Sequence, residues 1–308
     1  MRALIVTNMY PSPEHPERGS FVRDQVHALE RIPDVELELF AFEPGSIAAY
    51  ARAASALRRR YRGARFDVVH AHFGLTAWPA LAVRAGAHAV TLHGTDLSHP
   101  RSRALTTTAL PLLDLVAAVS QPLLEQAPRW AIRSQTAVLP AGVATERFKP
   151  IPRAEARARL GLAPGGPYLL FAADPTRPEK RYDRARSVAG NVELLSLGSV
   201  DPAEVPLWVN SANAVLATSE REGFGLAVLE ALACDVPVLS TPVGVAPEAL
   251  DGIAGTYCGA FDAAAWRRAL APHLTDADPR VRGRGRAEQF STDRMATRVV
   301  EAWRALAH

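Results

Sequence analysis

Lysine is almost missing from this chain: of 35 basic residues only Lys149 and Lys180 are lysine, and the rest are arginine. A lysine inside a motif therefore stands out against its background. Cysteine is equally scarce. Cys234 and Cys258 are too few to build a metal cluster alone or to staple a disulfide framework, and both are read as reduced core residues of a cytoplasmic protein. No stretch approaches the roughly 20 uncharged apolar residues that a membrane span needs. The longest apolar run, Ala109 to Val119, contains Asp114. The opening MRALIVTN lacks a small-residue cleavage site behind a long apolar core, so it reads as a first strand rather than a signal peptide. A net charge of +3 is too small an excess to call for nucleic acid. Neither GxGxxG nor GxxxxGK[ST] occurs, which argues against a dinucleotide fold or a P-loop. The one Asp-x-Asp, Asp276-Ala277-Asp278, lies in a polar stretch away from any strand end. A metal-chelating diphosphate site is therefore not expected, and no cofactor or metal is assigned.

What is present is the composition of a soluble globular protein, 48% hydrophobic and 22% charged over 308 residues, long enough for two domains. Short apolar runs alternate with longer amphipathic ones. Strands are expected at Ala3–Thr7, Glu36–Phe42, Asp67–His72, Ala87–His93, Leu115–Val119 and Thr136–Leu139, with helices at Ser20–Arg31, Ser46–Arg62 and Leu75–Ala85. This alternation predicts an α/β fold of βαβ units around parallel sheets. It pauses at Pro140–Pro152, where prolines disfavour helix, and then restarts. The second series of strands is expected at Tyr168–Ala172, Glu193–Leu197, Ala214–Ala217, Pro237–Ser240 and Ile253–Tyr257, with helices at Glu179–Val188, Gly225–Ala233 and Ala263–His273 and a helical tail from Asp276, interrupted near Gly283 and Gly285. Two doubly wound domains are expected, residues 1–148 and 149–291, facing a cleft at the carboxyl ends of their strands.

Five segments carry chemistry. In the first, a strand leads through Glu222, Gly223, Phe224, Gly225 and Leu226 into a helix holding Glu230. Two glycines at such a junction let backbone amides reach an anion at the helix N-terminus. Eight helical residues rise about 12 Å, too far for a glycosidase pair at roughly 5–9.5 Å. The two carboxylates suit two clamps on one extended ligand, each accepting from vicinal hydroxyls; a capped helix with solvated glutamates is the plainer reading. In the second, Arg177, Lys180 and Arg181 follow a strand, where cations neutralise a diphosphate; a solvated lysine at a helix start is the alternative. In the third, Gly19 and Ser20 open the first helix and offer amides to a phosphate, as would any flexible loop.

The fourth, Val90-Thr91-Leu92-His93-Gly94-Thr95-Asp96, ends a strand on His93, expected to point into the cleft, with Asp96 placed to orient it or to bind an acceptor. His70 and His72 are read as pointing to opposite faces of their strand, which speaks against a shared metal. His72 either touches the acceptor or packs in the core. In the fifth, Arg58, Arg59, Arg60 and Arg62 make a basic helix face, either simply solvated or docking peripherally on anionic lipid at the inner membrane face.

The run from Glu222 to Glu230, with its Gly-Phe-Gly-Leu interior and the following Val236–Gly244 and Pro247-Glu248, resembles the Glu–seven residues–Glu motif of retaining family-4 glycosyltransferases of the GT-B fold. The likeness covers nearly the whole chain. It implies two Rossmann-like domains, with a last helix at about 292–308 crossing back onto the first. It also implies transfer of a sugar from a UDP- or GDP-sugar to a hydroxyl acceptor, free or lipid-linked, with retention and without metal. Glu222 and the amides of Phe224 to Leu226 would contact the donor sugar, Glu230 the ribose, Lys180 and the Gly19 loop the phosphates, and His93 the reacting sugar. The family's arginine five residues before the lysine is here Pro175, which leaves Arg177 or Arg181 for that role. Between Lys180 and Ser219 the family has an additional strand and helix, so base recognition is the part this chain shortens. The alternatives are an inactive GT-B-like binding protein, a nucleotide-sugar epimerase, and a dehydrogenase, which the missing fingerprint disfavours.

Overall fold

The computed structural model describes residues 1–198 and 200–306. Ser199 and the end of the expected last helix, Ala307 and His308, lie outside the described residues. The chain divides into two compact units: Met1–Gly142 with the segment from Thr292 onward, and Val143–Ser291. The first unit ends at Gly142 rather than at residue 148. Val143 already bridges to Ser291, and the carbonyls of Thr145 and Phe148 accept from Arg284, so these residues are tied into the second unit.

In the first unit, β1 (Arg2–Thr7), β2 (Glu36–Ala41), β3 (Phe66–His72), β4 (Ala85–Leu92), β5 (Leu115–Ala118) and β6 (Gln135–Val138) form one sheet of order β2-β1-β3-β4-β5-β6. Every pairing is parallel. The central strands are mostly buried, as in a sheet covered on both faces; β1, for example, is buried from Ala3 to Thr7, whereas the edge strands β2 and β6 are partly exposed. The pairing register aligns Thr7 with His72 and His72 with Thr91, so the carboxyl ends of the three central strands lie side by side. Helix α1 (Ser20–Glu30) packs against the final helix, Thr292–Ala305. The latter contributes Met295, Val299 and Trp303 to the same core as Ile5, Leu29 and Val68.

In the second unit, β7 (Tyr168–Phe171), β8 (Glu193–Ser196), β9 (Ala214–Ala217), β10 (Val238–Ser240) and β11 (Tyr257–Cys258) form a parallel sheet of order β11-β10-β9-β7-β8. Its core joins Leu169, Phe171 and Leu216 to Trp266 and Leu270 of the helix Ala263–Thr275. Between Lys180 and Ser219 the described residues hold two strands, β8 and β9, and two helices, Tyr182–Ala189 and Val205–Ser211, and β8 is the sheet's edge.

Several elements differ from expectation. Leu75–Ala85 is not one helix: a 3-10 turn at Gly74–Thr76 and one helical turn at Ala77–Ala80 precede β4, which starts at Ala85. Pro79 has no N–H to donate and is tolerated only in the first turn of a helix, and the helical turn accordingly starts at Ala77. The expected strand at Ile253–Tyr257 shrinks to Tyr257–Cys258, because Gly252 and Gly255 both take positive φ in the turn before it. The helix expected at Glu179–Val188 breaks at Arg181, whose φ is 55°. The tail is helical only at Arg284–Glu288 and Thr292–Ala305. Asp276 to Pro279 instead close over the buried Arg153, which donates to Asp278 and to the carbonyls of Ala212 and Pro279. The Asp-x-Asp is thus part of a structural arginine cluster. Cys258, read as a core residue, is exposed on the edge strand, whereas Cys234 is buried.

Candidate active site

In the second unit, two loops at the carboxyl ends of β7 and β9 are stitched together. The Thr218 hydroxyl donates to the carbonyls of Lys180 and Arg181, and the Glu220 amide donates to the Glu179 carbonyl at 2.9 Å. This clamp brings Lys180 Nζ to 2.6 Å from Glu222 Oε1. The Ser219 hydroxyl donates to the same oxygen, also at 2.6 Å. One carboxylate oxygen therefore takes two donors, while Oε2 takes none among the described residues and is not sealed from solvent. Both side chains are largely covered, at 15% and 19% exposure. Arg177 lies on the rim, paired with Glu179 at 2.7 Å. Arg181 is held by Asp183 and Glu220, whose hydrogen bonds push its pKa above the ordinary arginine value.

Gly225, at φ 92°, caps the helix Leu226–Ala233, and a Cβ there would meet only Glu222 carbons at 3.7 Å or beyond. The loop after β10 supports this turn from behind. Val245 N donates to the Phe224 carbonyl at 2.6 Å, and a Cβ on Gly244 would sit 2.2 Å from that oxygen. The Phe224 ring packs on Phe290 at 6.2 Å, so Gly223, Phe224 and Gly225 can offer a ligand only their backbone. Glu230 is half-buried on the same helix, one turn after Leu226. A half-filled carboxylate, a cation and a helix N-terminus capped by the positive-φ Gly225 make a site for an anionic, hydroxyl-rich ligand.

In the first unit, Gly19 takes φ 62° at the start of α1, and a Cβ there would lie 2.2 Å from the Met9 carbonyl oxygen. Glycine is thus required where the helix opens at Ser20. The next residue, Phe21, sets its ring 5.1 Å from that of His93, so the α1 N-terminus and His93 share one place. Asp96 fixes the His93 turn from below. It is fully buried and accepts from the amides of His93 (2.8 Å), Gly94 (2.7 Å) and Gly74 (3.3 Å). Burial raises its pKa, and these three donors offset the rise.

His70 and His72 do not point to opposite faces. Residues two apart on a strand share a face, and the rings stack at 5.0 Å. Beyond them, His72 Nδ1 lies 3.1 Å from His93 Nε2, with the rings 5.3 Å apart. Burial drives all three below the ordinary histidine range, His72 to about 4, so they are neutral at physiological pH. The acceptor contact expected of His72 and Asp96 does not fit this arrangement, because both side chains have no exposed surface. Among the described residues, no three His, Cys, Asp or Glu side chains converge as a metal site.

Sequence reasoning missed Ser219, Phe21 and Gln25. Ser219 lies three residues before Glu222, a spacing that suits a capping contact. Gln25 is buried on the inner face of α1, and a polar residue among Val22, Val26 and Leu29 was the available signal.

Residues 2–147 match the model of Glycosyltransferase Family 4, and residues 154–276 that of Glycosyl transferases group 1. The chain is 26% identical to D-inositol 3-phosphate glycosyltransferase of Pseudarthrobacter chlorophenolicus, over 96% of this chain and 83% of the relative. It is 28% identical to that of Actinosynnema mirum, over 84% and 77%. Among solved structures, sucrose-phosphate synthase from Thermosynechococcus elongatus superposes with a TM-score of 0.75 at 17% identity, covering 99% of both chains. HepE of Anabaena, solved with UDP and glucose, gives 0.73 at 15% identity, over 98% of this chain and 99% of the other. Two parallel-sheet units, the matched models and the Glu222–Glu230 helix junction together make this chain a family-4 glycosyltransferase of the GT-B fold.

Proposed function

We propose that this glycosyltransferase takes its sugar from a UDP- or GDP-sugar and passes it to a hydroxyl acceptor with retention of configuration. The observation that carries the reading is the Lys180–Glu222–Ser219 cluster beside the N-terminus of the helix Leu226–Ala233. Lys180 and that helix end address the diphosphate, with Arg177 or Arg181 released from its carboxylate partner as the second cation. The open Oε2 of Glu222 accepts from a sugar hydroxyl, and Glu230 from the ribose. In the first unit, the Gly19–Ser20 amides are assigned to phosphate and the His93 ring to the transferred sugar. Support comes from HepE, whose solved complexes contain UDP-glucose, and from the inositol-phosphate glycosyltransferases among the relatives, which make a polyol phosphate the first acceptor to try.

Asp96, the carboxylate of the His93 turn, is consumed by three amides and is assigned no role as a nucleophile. The acceptor oxygen therefore bonds to the anomeric carbon on the face from which the diphosphate departs. The carbon–phosphate oxygen bond breaks with its electron pair going to phosphate, and the acceptor proton passes to that same phosphate oxygen. Protein cations and oriented amides stabilise the developing charge, so transfer needs no added divalent ion and survives EDTA. A lipid-linked acceptor would be met at the membrane face by Arg58, Arg59, Arg60 and Arg62, all exposed on or just past helix α2 (Ile47–Arg60).

Titration calorimetry with UDP, GDP, ADP and NAD against wild type and Glu230→Gln tests the donor site. One nucleoside diphosphate should bind, and the variant should lose most of that affinity. No binding by the folded protein at millimolar nucleotide would leave a GT-B-like protein without its donor. Conversion of free donor in the absence of acceptor would identify an epimerase.

A further inference from the structure

The three buried histidines are linked into a chain whose proton positions can be read from its ends. Trp303 Nε1–H can only donate, and it donates to His70 Nδ1 at 2.9 Å. A neutral imidazole that accepts at one nitrogen carries its proton on the other, so His70 Nε2–H donates to Thr91 Oγ1 at 2.8 Å. The second branch starts at Gln25. Its amide nitrogen, not its oxygen, faces His72 Nε2 at 3.2 Å. His72 Nε2 therefore accepts, and its proton sits on Nδ1. That N–H donates to His93 Nε2 at 3.1 Å, which leaves the His93 proton on Nδ1. Among the described residues His93 Nδ1 has no hydrogen-bond partner, and it is not sealed from solvent.

We propose that Gln25 and His72 are positioning residues that hold His93 as a fixed hydrogen-bond donor, with Nδ1–H directed at the ligand. This rests on the reading of His93 as facing the transferred sugar or its phosphate. His93 then cannot act as the base that deprotonates an acceptor, because its only lone pair is occupied by His72. Its ligand atom is an oxygen that accepts: a sugar hydroxyl oxygen or a phosphate oxygen. The geometry also holds the rings in place. His72 is stacked between His70 and His93, at 5.0 and 5.3 Å, and the Phe21 ring closes the far side of His93. Burial keeps every member of the chain neutral near pH 7, so a single donor–acceptor order persists.

The test is a long-range nitrogen–proton NMR spectrum of the nine histidines in the intact protein, assigned through His72→Asn and His93→Asn. The expected pattern at neutral pH is a proton on Nε2 of His70 and on Nδ1 of both His72 and His93. In Gln25→Glu an acceptor stands where a donor stood. His72 Nε2 should then change from bare to protonated while His70 stays as it was. A wild-type spectrum with His93 protonated on Nε2, or with its two tautomers averaging, overturns the proposal without reference to any substrate. So does a folded Gln25→Glu whose His72 is unchanged. Adding UDP-glucose should shift the His93 Nδ1–H resonance. The expected tautomers with no response to UDP-glucose, UDP or GDP would leave the positioning assignment standing and overturn the donor reading beneath it.

Discussion

Lys180 and Glu222, 42 residues apart in sequence, meet at 2.6 Å because Thr218 ties the loop after β9 to the loop after β7. The two charges neutralise one another and stand ready to be reorganised by a ligand. Lys180→Met leaves the mostly covered Glu222 with Ser219 as its sole donor. Loss of one charge-assisted hydrogen bond is worth about 1.5–3 kcal/mol, or roughly 10- to 150-fold in affinity. We expect UDP or GDP binding to weaken by that factor in calorimetry. Ser219→Ala should cost less, because the lysine remains.

Gly244 and Gly161 separate conformational strain from collision. Both have positive φ, at 58° and 68°. A Cβ on Gly244 would strike the Phe224 carbonyl at 2.2 Å, whereas one on Gly161 meets nothing within 4 Å. Gly161→Ala should therefore cost about 1–2 kcal/mol for the left-handed conformation alone. Gly244→Ala should cost clearly more and also displace the Phe224–Leu226 amides. Denaturant unfolding of the two variants checks the order, and equal losses would contradict it.

Stability should decline as pH falls below about 6.5. His70, His72 and His93 are held neutral by burial, so each has a folded pKa below its unfolded value near 6.5. A depressed pKa contributes stability that is present above the unfolded value and is lost as pH falls through the folded one. For His72, moving from 6.5 to about 4, this is worth about 3 kcal/mol at neutral pH. Asp96 has the opposite sign. Its raised pKa favours the fold at low pH and opposes it as pH rises, so it does not drive the acid loss. Urea midpoints from pH 7 to 4.5 should fall for wild type and fall less steeply for His72→Asn.

Asp278 and Arg153 provide a structural control. Arg153 is 2% exposed and is bound by Asp278 and two carbonyls. Arg153→Met should destabilise by a few kcal/mol, because it strips the buried carbonyls of Ala212 and Pro279 of their donor, at about 1–3 kcal/mol each. Asp278→Asn, a change at a half-exposed partner, should cost at most about 1 kcal/mol. Neither Asp276→Asn nor Asp278→Asn should alter nucleotide affinity or add a divalent-ion requirement. A change in either would return the Asp-x-Asp to the chemistry.

The basic face of α2 makes a separable prediction. Replacing Arg58, Arg59, Arg60 and Arg62 with serine should leave nucleotide affinity and thermal stability within experimental error, since all four are exposed. If the acceptor lies in a membrane, wild type should cosediment with anionic vesicles at low salt and release near 0.5 M salt, where screening removes roughly 1 kcal/mol per arginine. The quadruple variant should not bind.

Most strands were legible because each carries a short, mainly apolar run bounded by turn or helix signals; β9 was expected at Ala214–Ala217 and is there. The glycine turns at Gly19 and Gly225 could be read because each occurs where a strand has ended and a helix must open. What could not be read was tertiary. The Leu75–Ala85 helix was overdrawn although Pro79 stands inside it. The facing of His70 and His72 was misjudged despite a period-two rule that fixes it. Asp96 looked like a ligand because its polarity was visible and the three amides around it were not. Gln25 was hidden for a similar reason, since its partner lies 47 residues on.

The helix Thr292–Ala305 belongs to the first unit and supplies Met295, Val299 and Trp303 to its core. On the ribosome it follows all 149 residues of Val143–Ser291, a delay of roughly 7–30 s at ~5–20 residues per second. During that interval the face of the first sheet around Ile5 and Val68 is made but uncovered, and His70 lacks its tryptophan. The first unit is thus completed only after the second has been made, and its core stays open in the nascent chain until that helix emerges.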